Sequence, residues 1–106
     1  MAENVIITAE DTSMVLTLMA VLKCESHGED SIKDYCSKVL EKLSGLGDRK
    51  FFEVCSDYVT VFEDRKALWS DNEVPEFADI YKEQLLSIKR MIFKRRQWKM
   101  LGPVKG

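Results

Sequence analysis

Residues that break regular structure are scarce in this chain: two prolines and five glycines stand among 106 residues. A protein built of many short strands needs a turn residue every few positions, so that architecture is excluded and long helices are expected. Long apolar runs are missing too. The richest stretch, Met14–Leu22 (MVLTLMAVL), falls well short of the roughly 18 residues that span a bilayer. It follows an acidic segment with Glu3, Glu10 and Asp11, where a secretory signal would be basic and would end at a small-residue cleavage site. The sequence therefore reads as that of a cytoplasmic protein without a transmembrane segment, or a nuclear one in a eukaryote.

Residues that do chemistry are equally thin. Three cysteines, Cys24, Cys36 and Cys55, make an odd set at uneven spacing, whereas a secreted disulfide scaffold holds an even one. In a reducing compartment they read as small buried hydrophobes. His27 is the only histidine. With Cys24 it makes a C-x-x-H pair that Cys36 and Cys55 could complete as a zinc set. Structural zinc sites show two close pairs, however, and Cys36 and Cys55 lie on apolar helix faces where packing explains them. No cysteine or serine stands in a pattern with a base and an orienting group. No glycine-rich phosphate loop and no H-E-x-x-H or E-x-x-H pattern occurs. Neither an enzyme nor a cofactor is expected.

What the chain does have is helical periodicity, in four segments that together predict one domain over 1–106. The first runs over about 8–25, with Thr8 as N-cap, Asp11 three positions on, and either Ile7 as a staple or Val5–Ile7 as a short extended arm. Its apolar residues, Met14, Val15, Leu16, Leu18, Met19, Val21 and Leu22, point nearly all round. Such a helix is either central to a fold or covered by another chain. After a loop capped by Gly28 and Ser31, the second helix covers about 32–44, with Ile32, Cys36, Val39, Leu40 and Leu43 on one face. Gly47 is expected to be left-handed, with Asp48 capping a third helix over about 49–69. That helix carries Phe51, Phe52, Val54, Cys55, Tyr58, Val59, Val61, Phe62 and Trp69. Pro75 opens a fourth helix over about 75–101. Its stripe is Phe77, Ile80, Tyr81, Leu85, Ile88, Met91 and Ile92, and Arg95 then interrupts it, which reads as the point where the helix leaves the core. Residues 1–7 and 102–106 read as flexible ends.

The expected fold is thus all-α: a small antiparallel four-helix bundle with a long, protruding, basic C-terminal helix. Its core is drawn from Leu18, Leu22, Val39, Leu40, Leu43, Phe52, Cys55, Val59, Phe62, Ile80, Ile88 and Met91.

Acid is absent after Glu83. Residues 1–83 hold nine Lys+Arg and all eighteen Asp+Glu, a net charge of −9, while residues 84–106 hold seven Lys+Arg and no acid, a net charge of +7. The overall −2 conceals this split. A terminal helix dipole explains two or three such cations, not seven. The basic tract could also fold back on the chain's own acidic body. As a binding surface it places Lys89, Arg90, Phe93, Lys94, Arg96, Trp98 and Lys99 toward a partner. Leu86, Phe93 and Met100 recur at seven-residue spacing away from the core stripe, which marks an apolar interface for a partner helix. The reading is of a non-enzymatic regulator, adaptor or inhibitor that binds a macromolecule through this helix, a protein, acidic if charge guides it. A homodimer through the first or fourth helix is the preferred assembly. The alternative is a nucleic-acid-binding protein using the same basic helix.

Overall fold

The structure, a computed structural model, describes residues 13–101, and the side chains of 13–97. Four α-helices make up the described residues, without a strand: α1 Met14–His27, α2 Glu29–Ser44, α3 Asp48–Asp71 and α4 Pro75–Leu101. None is long and apolar enough to cross a membrane.

The helices alternate in direction. The pairs α1/α2, α2/α4, α4/α3 and α3/α1 pack side by side, so α1 and α4 occupy opposite corners. The most extensive pairing is α3 with α4. The short Gly45–Gly47 link does make α2 and α3 antiparallel, yet these two meet mainly across the bundle's centre.

That centre is aromatic. Phe62 stacks on Tyr58 (centroids 5.9 Å apart) and on Tyr81 (5.8 Å), and takes the edge of Tyr35 at 6.5 Å. Around them lie Ile32, Val39, Leu43, Phe51, Cys55 and Ile88, all buried. Offset and edge-on ring pairs add about 0.5–1.5 kcal/mol each to the area that they bury. Five of the expected core residues, Val39, Leu43, Cys55, Phe62 and Ile88, are buried. Leu40, Phe52, Val59, Ile80 and Met91 are half-buried against the core. Leu18 and Leu22 are exposed, which corrects the expectation for α1. This helix is a corner element, and it seats only Thr17, Ala20 and Val21 in the core. The register of α1 turns these side chains inward and leaves its large ones outside.

Helix ends account for the remaining differences. α1 is capped by Ser13, whose Oγ accepts from the Leu16 amide at 3.2 Å; the Thr8 cap, Asp11 and the Val5–Ile7 segment lie outside the described residues. The expected loop from Cys24 to Ser31 is absent. α1 runs on to His27, α2 starts at Glu29, and Gly28 alone joins them at φ +106°, ψ −177°. Glu29 and Asp30 in the first turn of α2 favour this early start, because the helix dipole stabilises acids there. Ser31 therefore sits inside a helix rather than capping one. Gly47 is not left-handed: its φ is −69°, and it rather than Asp48 is the N-cap of α3.

Gly28 occupies a backbone region that L-residues rarely enter, although a Cβ there would meet nothing within 4 Å. Gly28→Ala is therefore expected to cost about 1–3 kcal/mol from backbone strain alone. Urea unfolding should show an earlier midpoint with an unchanged slope.

Candidate functional site

The outward face of α4 is set by the register of its buried face. Tyr81, Leu85 and Ile88 are buried, and the helical period then turns Leu86, Arg90 and Phe93 away from the bundle. Leu86 is exposed, and Phe93 is 62% exposed. With Lys89, Arg90 and Lys94 they line a shallow groove of 290 Å³. Lys89 Nζ lies 3.6 Å from Glu63 Oε2 with both side chains solvated, a pair worth little. Arg90 and Lys94 form no ion pair among the described residues. Leu86 and Phe93 thus lie among these cations over 86–94.

Not every expected site residue joins it. Arg96 turns toward α3, its guanidinium 5.9 Å from the centroid of Phe52. There it walls a second groove with Phe52, Cys55, Val59 and Ile92. Trp98, Lys99 and Met100 belong to α4, but their side chains lie outside the described residues.

Arg95 does not mark the point where the helix departs. Its Nη1 donates to Asp48 Oδ1 at 3.0 Å, its Nη2 to the Leu43 carbonyl at 3.4 Å, and its guanidinium lies 4.0 Å over the Phe51 ring. This cation caps a carbonyl in the last turn of α2, where the helix dipole favours positive charge, and pairs with the first-turn acid of α3. The basic end of α4 thus remains anchored to the bundle through Arg95 and Arg96, and the protrusion expected past Arg95 is not seen at these two residues.

Two features escaped sequence reasoning, one wholly and one in part. The first is a part-buried polar knot at Glu25, whose side chain is 7% exposed. Its carboxylate accepts from Arg65 Nε (3.0 Å) and Nη2 (2.5 Å), Trp69 Nε1 (2.9 Å) and Tyr81 Oη (2.6 Å). Burial works to raise the pKa of Glu25, but the hydrogen bonds from Arg65, Tyr81 and Trp69 outweigh it and hold the carboxyl below its ordinary value. Burial, with Glu25 alongside, pushes the Tyr81 phenol far up. This one residue ties α1 to α3 and α4. A sequence signal was present: Glu25 falls one turn after Val21, on the buried line of α1.

The second is the outer face of α1. Met14, Val15, Leu16, Leu18, Met19 and Leu22 are all exposed, Val15 to 67% and Met19 to 60%. The all-round apolar pattern had flagged this helix, but not which side would stay uncovered.

The suggested zinc set does not assemble. No group of three or more His, Cys, Asp or Glu among the described residues could hold a metal ion, so Cys24, His27, Cys36 and Cys55 do not converge on one point. Burial pushes the Cys36 thiol up to about 12 and the Cys55 thiol up to about 11. Both therefore stay protonated near neutral pH, unlike a nucleophilic cysteine.

No protein-family model, curated protein or solved structure matches the chain.

Proposed function

We propose that this protein is a small non-enzymatic adaptor or inhibitor that binds an acidic protein segment on the outward face of α4. The observation that carries the reading is Phe93, a large exposed aromatic in a groove rimmed by Lys89, Arg90 and Lys94, on a stretch without acid after Glu83. The chemistry suits an amphipathic helix whose apolar anchors fill the Leu86/Phe93 line and whose carboxylates meet the rim. Aromatic anchors in such a setting supply most of the affinity, and rim charges supply steering and register.

Nucleic acid is the second reading, supported by the same cations. Against it stand the net charge of −9 on residues 1–83, which repels a duplex laid across the domain, and the turn of Arg96 onto Phe52.

Salt and one substitution separate the two. Fluorescence anisotropy with a designed acidic amphipathic peptide should give binding that salt weakens only modestly and that Phe93→Ser abolishes. For duplex DNA, affinity lost in proportion to the number of phosphates neutralised, and unmoved by Phe93→Ser, would replace the protein reading with the nucleic-acid one. A pull-down from native extract, with and without nuclease, then identifies the natural partner class.

A further inference from the structure

The outer face of α1 is larger and less charged than the α4 groove. Thr12–Leu22 is the longest run in the chain without a charged residue. Six of its side chains are large, apolar and exposed. Five of them, Met14, Val15, Leu18, Met19 and Leu22, form one continuous stripe at helical spacing, opposite the buried Thr17, Ala20 and Val21. The six side chains present roughly 500 Å² of apolar surface, near the upper end of the largest patch on an ordinary monomer.

We infer that this face is covered by α1 of a second copy of the same chain, in a two-fold homodimer. Charge is the first reason. Two copies carry equally acidic bodies, so a contact between those bodies is favoured on a face that bears no charge itself, and α1 provides it. Symmetry is the second. An antiparallel α1–α1 pair sets Val15 against Leu22 and Leu18 against Met19, apolar against apolar on both sides of the axis. Lys23 then falls at the rim rather than in the seam. A two-fold contact is self-complementary when the patch it repeats is uniform. Area is the third reason. Covering the five-residue stripe on both copies removes roughly 900 Å² of apolar surface, and the polar rim brings the total to the lower end of the roughly 1,200–2,000 Å² range of stable interfaces. Because α1 and α4 occupy opposite corners of the bundle, the dimer leaves both α4 grooves open. If the α4 reading holds, the assembly is bivalent; the dimer itself does not depend on that reading.

Sedimentation velocity and light scattering of the full chain, from low to high micromolar, test the inference. The expected mass rises to twice the 12.2 kDa of the chain, and raising the salt concentration leaves it unchanged because the seam is apolar. Leu18→Glu with Met19→Glu should shift the dimer dissociation constant by at least about a hundredfold, since the two copies would then set acids against acids. The wild-type interface is also read directly. In a dimer mixed from differently isotope-labelled copies, filtered NOEs should join the Met19 methyl of one copy to Leu18 of the other. A monomer at every concentration overturns the inference, whether α1 is then covered by residues 1–12, by lipid or by another protein. So does a dimer that lacks those NOEs, or one that dissociates in salt, which would point to the basic end of α4 docking on a neighbour's acidic body. Loss of peptide binding with the dimer intact would instead count only against the α4 reading.

Discussion

Replacing Glu25 with alanine is expected to lower the unfolding free energy by about 3–5 kcal/mol, a large part of the 5–15 kcal/mol that holds a typical domain together. The loss does not come from the carboxylate's own interactions alone. Arg65, its side chain at 15% exposure, is left as a largely covered cation without its counter-charge, and the Tyr81 hydroxyl and Trp69 indole N–H lose their acceptor. Leaving a buried donor unsatisfied costs about 1–3 kcal/mol by itself. The melting temperature should fall by more than about 12 °C for a domain of this size. Glu25→Gln retains an acceptor for some of the three donors and should cost less.

Acid makes the same point without a substitution. The folded pKa of Glu25 is depressed, by hydrogen bonds that outweigh burial. Its contribution is therefore complete above the ordinary carboxylate range, and it is lost as pH falls from there through the lowered native value. Wild type should lose stability through that window more steeply than Glu25→Gln, which has no proton to take up. Urea midpoints measured at several pH values check this. Parallel curves for the two proteins would show that the knot carries no such linkage.

How much of this the sequence revealed depends on the kind of interaction. Element type and the bounds of α4 followed from periodicity and from Pro75, because a clean stripe and a fixed φ are local properties. The aromatic stripes of α3 and α4 were visible, and the stack of Tyr58, Phe62 and Tyr81 is what they build. The expectation failed where a tertiary partner decides. Leu18 and Leu22 look more like core than Thr17 and Ala20 do, yet the register in which α1 packs turns Thr17 and Ala20 inward. Arg95 looked like an exit from the core, because no local rule foretells that the Asp48 carboxylate and the Leu43 carbonyl wait across two chain turns. The Gly28 junction was missed for the opposite reason. Glycine, histidine and serine read as a loop, while the acids after them extend a helix. Of the candidate binding residues, the Leu86, Lys89, Arg90, Phe93 and Lys94 cluster was legible because it depends only on helical register. The turn of Arg96 onto Phe52 was not.

That turn determines which charge reversal tests the α4 surface. Arg90→Glu with Lys94→Glu alters two solvated cations without an ion pair among the described residues, so the melting temperature should stay near that of wild type; surface changes of this kind usually stay within about 0.5 kcal/mol. Affinity for the acidic peptide should fall between about tenfold and a hundredfold, because each reversed rim charge replaces a weak attraction with a repulsion. The on-rate should carry more of the change than it does for Phe93→Ser, whose effect belongs to the off-rate. Arg96→Glu should behave differently. Its guanidinium covers Phe52, so the substitution removes packing as well as charge. Arg95→Glu should go further still, since a carboxylate would then face Asp48 and the C-terminal carbonyls of α2. Thermal melts and stopped-flow binding on the same four proteins resolve the surface. If the Arg90/Lys94 pair melts early, these residues hold the fold and the groove is structural. If that pair melts normally and binds the peptide unchanged, the outward face of α4 is not where the partner docks.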